Sequence, residues 1–408
     1  WENSKDYWFP NIRSMSGAIL VMSSVLYPYV YLMTRASFIT TPVSFFQTSS
    51  IYGRNSFFNV AIPFGRPGII AGLALVLMET ISDFGTVDYF AIETLTLGVF
   101  NVWLGMNSLS GASQISSILF MIVVILLTLE YLGRRSRRFH EQYSGSSNLP
   151  IETVSNLKNF FLFFICLIPL SLGFLIPVSI LLNYVIKGYS IIDFYEIIQI
   201  TFSSISLALV ASIIIMLLSL LMIVVGTYKS NKFQKILIFF ASCGYAFPGT
   251  ILAVGIVVFV GWLNDLVYFH MSYVVGSFLI LLFAYSIRFL AIGNGAVRSG
   301  ISRIHPNLLD ASKTMGVGFF KSVRIIILPL LYTNLLVGGI LVFVDILKEL
   351  PITLLLRPFN FETLATYVYQ YASDEMLEES AFAALIIVLA GLGPVIFLNK
   401  TINRSIKN

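Results

Sequence analysis

Two pairs of carboxylates in this chain have the residue type and the spacing to do chemistry. Glu79 and Asp83 are four positions apart, and so are Asp345 and Glu349. Residues four apart share one face of a helix, and ionisable groups inside membrane segments usually face a pathway or a partner. Oxygen ligands suit hard cations. The four carboxylates are therefore candidates to line a cation pathway.

The acids also have a structural interpretation, in which they pair with Lys348 or Arg357. Other metal-ligand patterns are weak. The three histidines are far apart, and Cys166 and Cys243 both lie inside apolar runs, so neither a zinc site nor a disulfide framework is indicated. The sequence therefore identifies no residue as a metal ligand.

The motifs of common enzyme and nucleotide sites are absent from the sequence. There is no GxxxxGK[ST] phosphate loop, no paired His–Glu metal motif and no nucleophile elbow. The GVGFF run at 316–320 lacks the GK that a phosphate cradle needs. We therefore expect no enzymatic activity and no cofactor bound by this chain.

Composition indicates an all-α integral membrane protein. Apolar residues make up 57% of the 408 positions and charged residues 11%, whereas soluble domains carry about 25% charge. The apolar runs approach the length that crosses a bilayer. Nine spans are predicted, at about 14–34, 67–83, 114–133, 159–185, 200–226, 236–262, 273–292, 330–348 and 380–398.

The basic residues predict the orientation of the spans. One set of loops holds 19 of the 25 Lys and Arg residues, at 35–66, 134–158, 229–235, 293–328 and 399–408. Lys and Arg accumulate on the cytoplasmic side, so the C-terminus is predicted to be cytoplasmic. The positive residues lie in short loops between spans, so they do not indicate a nucleic-acid partner. The RRSRR run at 134–138 is most simply the basic segment that ends a span at the inner membrane face.

The chain contains an internal repeat. With Pro63 aligned to Pro329, Gly72 matches Gly338, and the two acid pairs match each other. Residues 1–134 then form a first half with three spans, 135–158 a cytoplasmic linker, and 159–408 a second half with six spans. The unequal span counts, and a start at Trp1, lead us to expect about three further spans upstream.

The segment from Asp310 to Pro329 has a pattern of its own between two apolar runs. Asp310, Ala311 and Ser312 are followed by Gly316, and then by Ile326, Leu328 and Pro329. We predict a short helix over 307–315, a left-handed turn at Gly316, a second short helix over 319–328, and a new span opened by Pro329. The small pair Ala311–Ser312 would let a partner approach closely. The contact residues would be Leu308, Leu309, Met315 and Phe319.

A degraded copy of this segment lies at about 41–66. Gln47, Thr48 and Ser49 take the place of the acid and small residues, and Gly53 is the predicted turn. Nine residues separate Gly53 from Pro63, whereas twelve separate the corresponding glycine and proline of the intact copy, which lies at about 303–329. Its docking contacts are therefore in doubt.

The intact segment resembles the cytoplasmic coupling loop, or EAA loop, of type I ABC importer permeases, with Asp310 where that family usually has Glu. METISDFGTVDYF at 78–90 and DILKELPITLLLRPFNFETLAT at 345–366 are similar to the fused, two-half permeases of ferric-iron importers. The resemblance extends from about Tyr27 to Leu398.

The resemblance implies a multi-pass protein of the bacterial inner membrane that works with two partners. One is a cytoplasmic ABC ATPase dimer, which would hold ATP and Mg. The other is a periplasmic or lipid-anchored ferric-iron-binding protein, which the acid pairs could contact instead of lining a pathway.

Three other functions stay open at this point. A permease for thiamine, sulfate or polyamine would share the fold and the coupling loop. A secondary transporter would also show repeats, but without a loop built for a soluble partner. A membrane enzyme has no motif to support it.

Overall fold

A computed structural model describes residues 11–39, 41, 43–53, 55–135, 156–188, 194–228, 231–267, 276–305 and 307–407. Every regular element in these ranges is helical. The α-helices are α1 Met15–Ile39, α2 Val43–Ile51, α3 Ile62–Ser82, α4 Gly85–Tyr89, α5 Leu95–Phe100, α6 Leu109–Arg135, α7 Asn156–Leu170, α8 Ile176–Ile186, α9 Phe194–Tyr228, α10 Lys232–Ala241, α11 Gly249–Val267, α12 Phe278–Ile301, α13 Asn307–Thr314, α14 Phe319–Ser322, α15 Leu328–Leu347, α16 Pro351–Leu356, α17 Leu364–Ser373 and α18 Leu377–Lys407.

Eight helical stretches within the described ranges are long and apolar enough to cross a membrane. They are Met15–Phe38, Phe57–Ser82, Leu109–Thr128, Leu157–Ile186, Phe194–Thr227, Phe278–Ile301, Phe319–Leu347 and Leu377–Pro394. Large apolar side chains on them are exposed, among them Phe160, Phe161 and Phe163 of α7. In water such a surface would be a liability, but it is what a lipid-facing helix requires.

The span predicted at 236–262 is not one continuous helix. That segment is two helices, α10 and α11, joined by a short 3-10 turn at Gly244–Ala246 and by Pro248. The break has a packing reason. Gly244 lies so close to α12 that an added Cβ would sit 1.9 Å from the Ile287 carbonyl oxygen. A side chain there would force the two segments apart.

Two compact units are present in the chain. The first contains residues 1–98 and 117–180, and the second contains 99–116 and 181–408. In the first unit α1 packs along α3, and an added Cβ at Gly72 would meet the Val30 Cα at 2.5 Å. The core of the second unit lies between α9, α12 and α15, with Ile215, Leu281 and Leu331 fully buried.

Short π-helical segments precede three of the prolines. Phe57–Ala61, Ser171–Leu175 and Val323–Ile327 are each followed by one residue and then by a proline. Proline has no N–H to give to the fourth residue before it, and its ring crowds that carbonyl. The wider π turn is a known local adjustment of a helix. It lets the chain remain helical through the proline.

The predicted repeat is present in the structure. After the aligned prolines, α3 and α15 run to the acids at 83 and 349, and the short helices α4 and α16 follow. The left-handed residues Ala91 (φ 54°) and Asn360 (φ 58°) then precede α5 and α17. Asn107 (φ 51°) and Glu375 (φ 61°) precede α6 and α18. A repeat that preserves uncommon backbone angles is a repeat of structure as well as of sequence.

Candidate functional site

Residues 307–322 form an elbow, a name we use for α13, the turn at Gly316 and α14. Helix α13 ends as predicted, since Gly316 takes the left-handed conformation at φ 75°. The Val317 N–H donates to the Ser312 carbonyl oxygen at 3.0 Å and so satisfies one carbonyl of the last turn. The elbow therefore returns the chain toward the span that follows.

Ser312 fixes this elbow internally. Its hydroxyl is 2.8 Å from that of Ser322 in α14, and both side chains are buried. The prediction that Ser312 opens the surface to a partner is wrong, because a side chain buried inside the elbow cannot be approached. Its neighbour Ala311 is exposed. Asp310 lies in α13, and its side chain is outside the described residues.

The outer face of the elbow carries apolar side chains. Leu308 is 44% exposed and Met315 is 72% exposed, as docking residues should be in the absence of a partner. Phe319 instead packs against the buried core, whereas its neighbour Phe320 is 81% exposed. The side chain of Leu309 lies outside the described residues. The face available for docking is therefore Leu308, Ala311, Met315 and Phe320.

The short helix predicted over 319–328 and the span predicted to begin at 330 are one helix in the structure, so both predicted boundaries are wrong. The chain is helical from Phe319 through Val323–Ile327 and Pro329 to Leu347. Ile326 lies in the π segment, and Leu328 begins α15. Because the helix is continuous, the elbow is joined rigidly to a whole membrane span.

The degraded copy retains the same local geometry. Helix α2 is followed by Gly53 at φ 62°, and Ser49, four residues before that glycine, is buried as Ser312 is. Thr48 bonds back to its own helix, its hydroxyl donating to the Ser44 carbonyl oxygen at 2.8 Å. The helix here begins at the π segment just before Pro63.

The far end of α15 holds a buried ion pair. Nη1 of Arg288 in α12 is 3.6 Å from Oε1 of Glu349, and both side chains are less than one-tenth exposed. The Ile352 N–H donates to the same Oε1 at 2.9 Å. Glu349 therefore both neutralises Arg288 and caps α16.

More polar groups surround that pair. The hydroxyls of Tyr285 and Thr353 are 2.6 Å apart, and Thr353 also donates to the Glu349 carbonyl oxygen at 2.8 Å. Gly249, at the start of α11, lies so close that an added Cβ would be 2.3 Å from Arg288 Nη1. Helices α11, α12 and α16 and the turn that follows α15 are thus joined at one buried point of the second unit.

The equivalent acid of the first half, Asp83, caps α4 but has no such cation. The Thr86 N–H donates to Asp83 Oδ1 at 2.9 Å, and the Thr86 hydroxyl donates to Oδ2 at 3.0 Å. Burial raises the pKa of the Asp83 carboxyl, and these hydrogen bonds oppose the rise. Among the described residues, no basic side chain pairs with Asp83.

The prediction that each acid pair shares one helix face is wrong, for the same reason in both halves. Helices α3 and α15 end at Ser82 and Leu347, so Asp83 and Glu349 lie past the helix and turn back to cap the next one. Asp345 pairs with Lys348 at 3.0 Å, and Tyr29 donates to Glu79 at 3.4 Å.

Within the described part of the chain, no group of three or more His, Cys, Asp and Glu side chains is placed to hold a metal ion. The acids act singly, as caps, in ion pairs or as hydrogen-bond acceptors.

Two comparisons with known proteins agree with this architecture. Residues 222–408 match the family described as "Binding-protein-dependent transport system inner membrane component". The chain is also 24% identical over 398 residues to the Fe(3+)-transport system permease protein FbpB 2 of Haemophilus influenzae, covering 94% of this chain and 76% of that protein. The second part of the chain is therefore similar to inner-membrane components of binding-protein-dependent transport systems.

Sequence reasoning gave Arg288 no function, although an arginine inside a span is a readable signal. It missed Gly249, Tyr285 and Thr353, because single small or hydroxyl residues in apolar helices have no distinctive pattern. Their proximity depends on the packing of α11, α12 and α16.

Proposed function

We propose that this protein is the permease subunit of an ATP-driven importer, and that it forms the membrane pathway for ferric iron. An extracytoplasmic iron-binding protein would deliver the ion. A separate ABC ATPase dimer, which holds ATP and Mg, would drive transport. The likeness to a permease named for Fe(3+) transport, over 94% of the chain, is the observation that carries the solute.

The elbow supports the coupling part of the proposal. It presents Leu308, Met315 and Phe320 to solvent on a short helix braced by the Ser312–Ser322 contact. A helix with an exposed apolar face is suited to a groove on a partner. Because the helix from Phe319 to Leu347 is continuous, a movement of the partner would be transmitted along one span.

The orientation follows from charge. The elbow lies in a basic segment, so it faces the cytoplasm, and so does the C-terminus. The far end of α15, with Asp345 and Glu349, then faces outward. The ATPase would dock at one end of this helix, and the solute would enter at the other.

Among the four acids, the geometry favours Glu79 and Asp345 for the pathway. Asp83 and Glu349 already accept backbone N–H groups as helix caps. Glu79 and Asp345 lie inside α3 and α15, and their side chains are half-buried. Their carboxylates are the ones that could meet a passing cation without unravelling a helix end.

Crosslinking tests the coupling proposal directly. In a C166S/C243S background, Met315→Cys should form a crosslink with the co-expressed ATPase, because Met315 lies on the exposed face of the elbow. Asp374→Cys is the matched control, since Asp374 is exposed in the turn between α17 and α18. Capture at Asp374 but not at Met315 would overturn the proposed orientation.

Uptake tests the solute and the energy source. In sealed vesicles with the ATPase and the iron-loaded binding protein, radioactive iron should accumulate when ATP is supplied and should not depend on an ion gradient. Accumulation of thiamine, sulfate or polyamine without iron would move the protein to a sibling permease. Uptake driven by an ion gradient alone would make it a secondary transporter.

A further inference from the structure

A fully exposed aromatic ring stands at the turn between α16 and α17. Phe359 is 98% exposed, the highest exposure among the large apolar side chains of the described residues. The segment that carries it lies between the spans Phe319–Leu347 and Leu377–Pro394. The ring is therefore presented outside the spans themselves.

The backbone of the turn that carries this ring is held by an ion pair and by hydrogen bonds. Arg357 forms an ion pair with Glu362, and its Nη1 donates to the Phe361 carbonyl oxygen at 3.2 Å. The Phe361 N–H donates to the Pro358 carbonyl oxygen at 3.2 Å. The Arg357 side chain and one backbone hydrogen bond thus brace the turn around Phe359.

The aromatic ring of Phe361 anchors the same turn from below. It packs edge-on against Phe278 of α12, with ring centroids 4.8 Å apart. The turn is therefore fastened to the second unit by Phe361, while Phe359 contributes nothing to that attachment. Because the backbone of the turn is already ordered, binding of a partner would immobilise only the Phe359 side chain and not the turn.

The first half contains the same turn with its ring buried. Phe90 precedes the left-handed Ala91 just as Phe359 precedes the left-handed Asn360. Phe90 is only 7% exposed and lies near α1, where an added Cβ on Gly17 would be 3.1 Å from its ring. The fold can therefore cover a phenylalanine at this turn, and the second half leaves it uncovered.

We propose that the turn Arg357–Phe361 is a docking point for the extracytoplasmic binding protein, with Phe359 inserted in an apolar pocket of that partner. The inference rests on the proposed function, which puts this end of α15 outside. Exposed aromatic anchors surrounded by polar groups are typical of binding hot spots. The Arg357–Glu362 pair and Asn360 supply such a rim, and an ion pair favours a wet protein surface over hydrocarbon.

The test is stimulation of ATP hydrolysis by the iron-loaded binding protein, measured on the permease–ATPase complex in lipid nanodiscs. Phe359→Ala should raise the half-saturating concentration of binding protein about thirty-fold, the usual minimum for a hot spot. Basal ATP hydrolysis and thermal stability should not change, because the Phe359 side chain is 98% exposed among the described residues. Ile186→Ala is the matched control, since Ile186 is 82% exposed at the end of another span.

Three results would overturn the inference. An unchanged half-saturating concentration in Phe359→Ala, with a wild-type complex that responds normally, would remove the docking point and leave the proposed function intact. Quenching of Phe359→Trp fluorescence by brominated lipids, undiminished by the binding protein, would assign the ring to the membrane. A wild-type complex that does not respond to the binding protein would overturn the proposed function and this inference together.

Discussion

The two halves of this protein share a backbone plan but differ in how they stabilise it. Each has a helix ending in a left-handed glycine, a π segment before a proline, a span, an acid that caps a short helix, and a left-handed residue before the next helix. In the second half the capping acid is also the partner of a buried arginine. In the first half it is a cap alone.

The repeat has therefore preserved local geometry more strictly than it has preserved interactions. A helix cap depends on residues close in sequence, so it survives duplication. A buried ion pair depends on an arginine from another helix, so one substitution creates or removes it. Variants made in pairs, one in each half, test this comparison.

The largest effect is expected at Glu349. Glu349→Ala leaves Arg288 buried without a counter-charge, which typically destabilises by about 3–5 kcal/mol, whereas Asp83→Ala loses only a cap, worth about 1 kcal/mol. Thermal unfolding of the purified protein in detergent measures both. The double variant Arg288→Met/Glu349→Met should recover much of the loss, and equal losses at the two acids would contradict the comparison.

A smaller difference is expected at the aligned glycines Gly72 and Gly338. An added Cβ at Gly72 meets the Val30 backbone at 2.5 Å, whereas at Gly338 it meets side chains, Ala296 Cβ at 2.6 Å and the end of Met216 at 3.0 Å. Overpacking usually costs about 1–3 kcal/mol, and Gly72→Ala should lie at the upper end.

The matched control for these glycines moves one methyl group from residue 296 to residue 338. Gly338→Ala combined with Ala296→Gly returns the lost space, so this double variant should unfold near the wild-type temperature. No such exchange exists for Gly72, because the obstructing atom belongs to the backbone. Failure of the double variant to recover would mean that the contact between α12 and α15 is not what limits Gly338.

The glycines of the two elbows should respond equally in stability but not in transport. Gly53 and Gly316 both have positive φ, and an added Cβ at either would meet no atom within 4 Å. Alanine should therefore cost only the strain of the left-handed backbone, about 1–2 kcal/mol at each position. Iron uptake at equal amounts of assembled complex should fall further for Gly316→Ala, since the first loop is shorter. A greater loss of iron uptake in Gly53→Ala than in Gly316→Ala would instead make the first loop the more important of the two for transport.

The smallest change in stability is expected at the two half-buried acids. Lys348, the partner of Asp345, is 48% exposed, and exposed pairs contribute about 0–1 kcal/mol. The double variant Glu79→Gln/Asp345→Asn should therefore unfold close to the wild-type temperature. Its iron uptake should nevertheless drop if these carboxylates line the pathway. Normal uptake in this well-folded variant would remove the pathway role.

Much of the fold was readable from the sequence because its signals are local. Long apolar runs predict spans, since only a helix satisfies the backbone in lipid. Gly316 and Gly53 predict left-handed turns, which the structure has. The aligned prolines predict a repeat, and the structure extends it to the π segments and the left-handed residues.

The errors came from interactions between segments that are distant in sequence. The predicted span over 236–262 ignored the close approach of Gly244 to α12, and Ser312 was assigned to a surface that it does not reach. The helix-face prediction for the acid pairs failed because spacing does not show where a helix ends.

Hydrophobicity, charge and glycine conformation are properties of short segments, so the sequence alone was enough to identify a duplicated membrane protein with a basic elbow before one of its spans. Tertiary packing, by contrast, brings Arg288 to Glu349, covers Phe90 and leaves Phe359 exposed. Those outcomes depend on which helices lie beside each other, and side chains that are neighbours in space but not in sequence leave no local pattern.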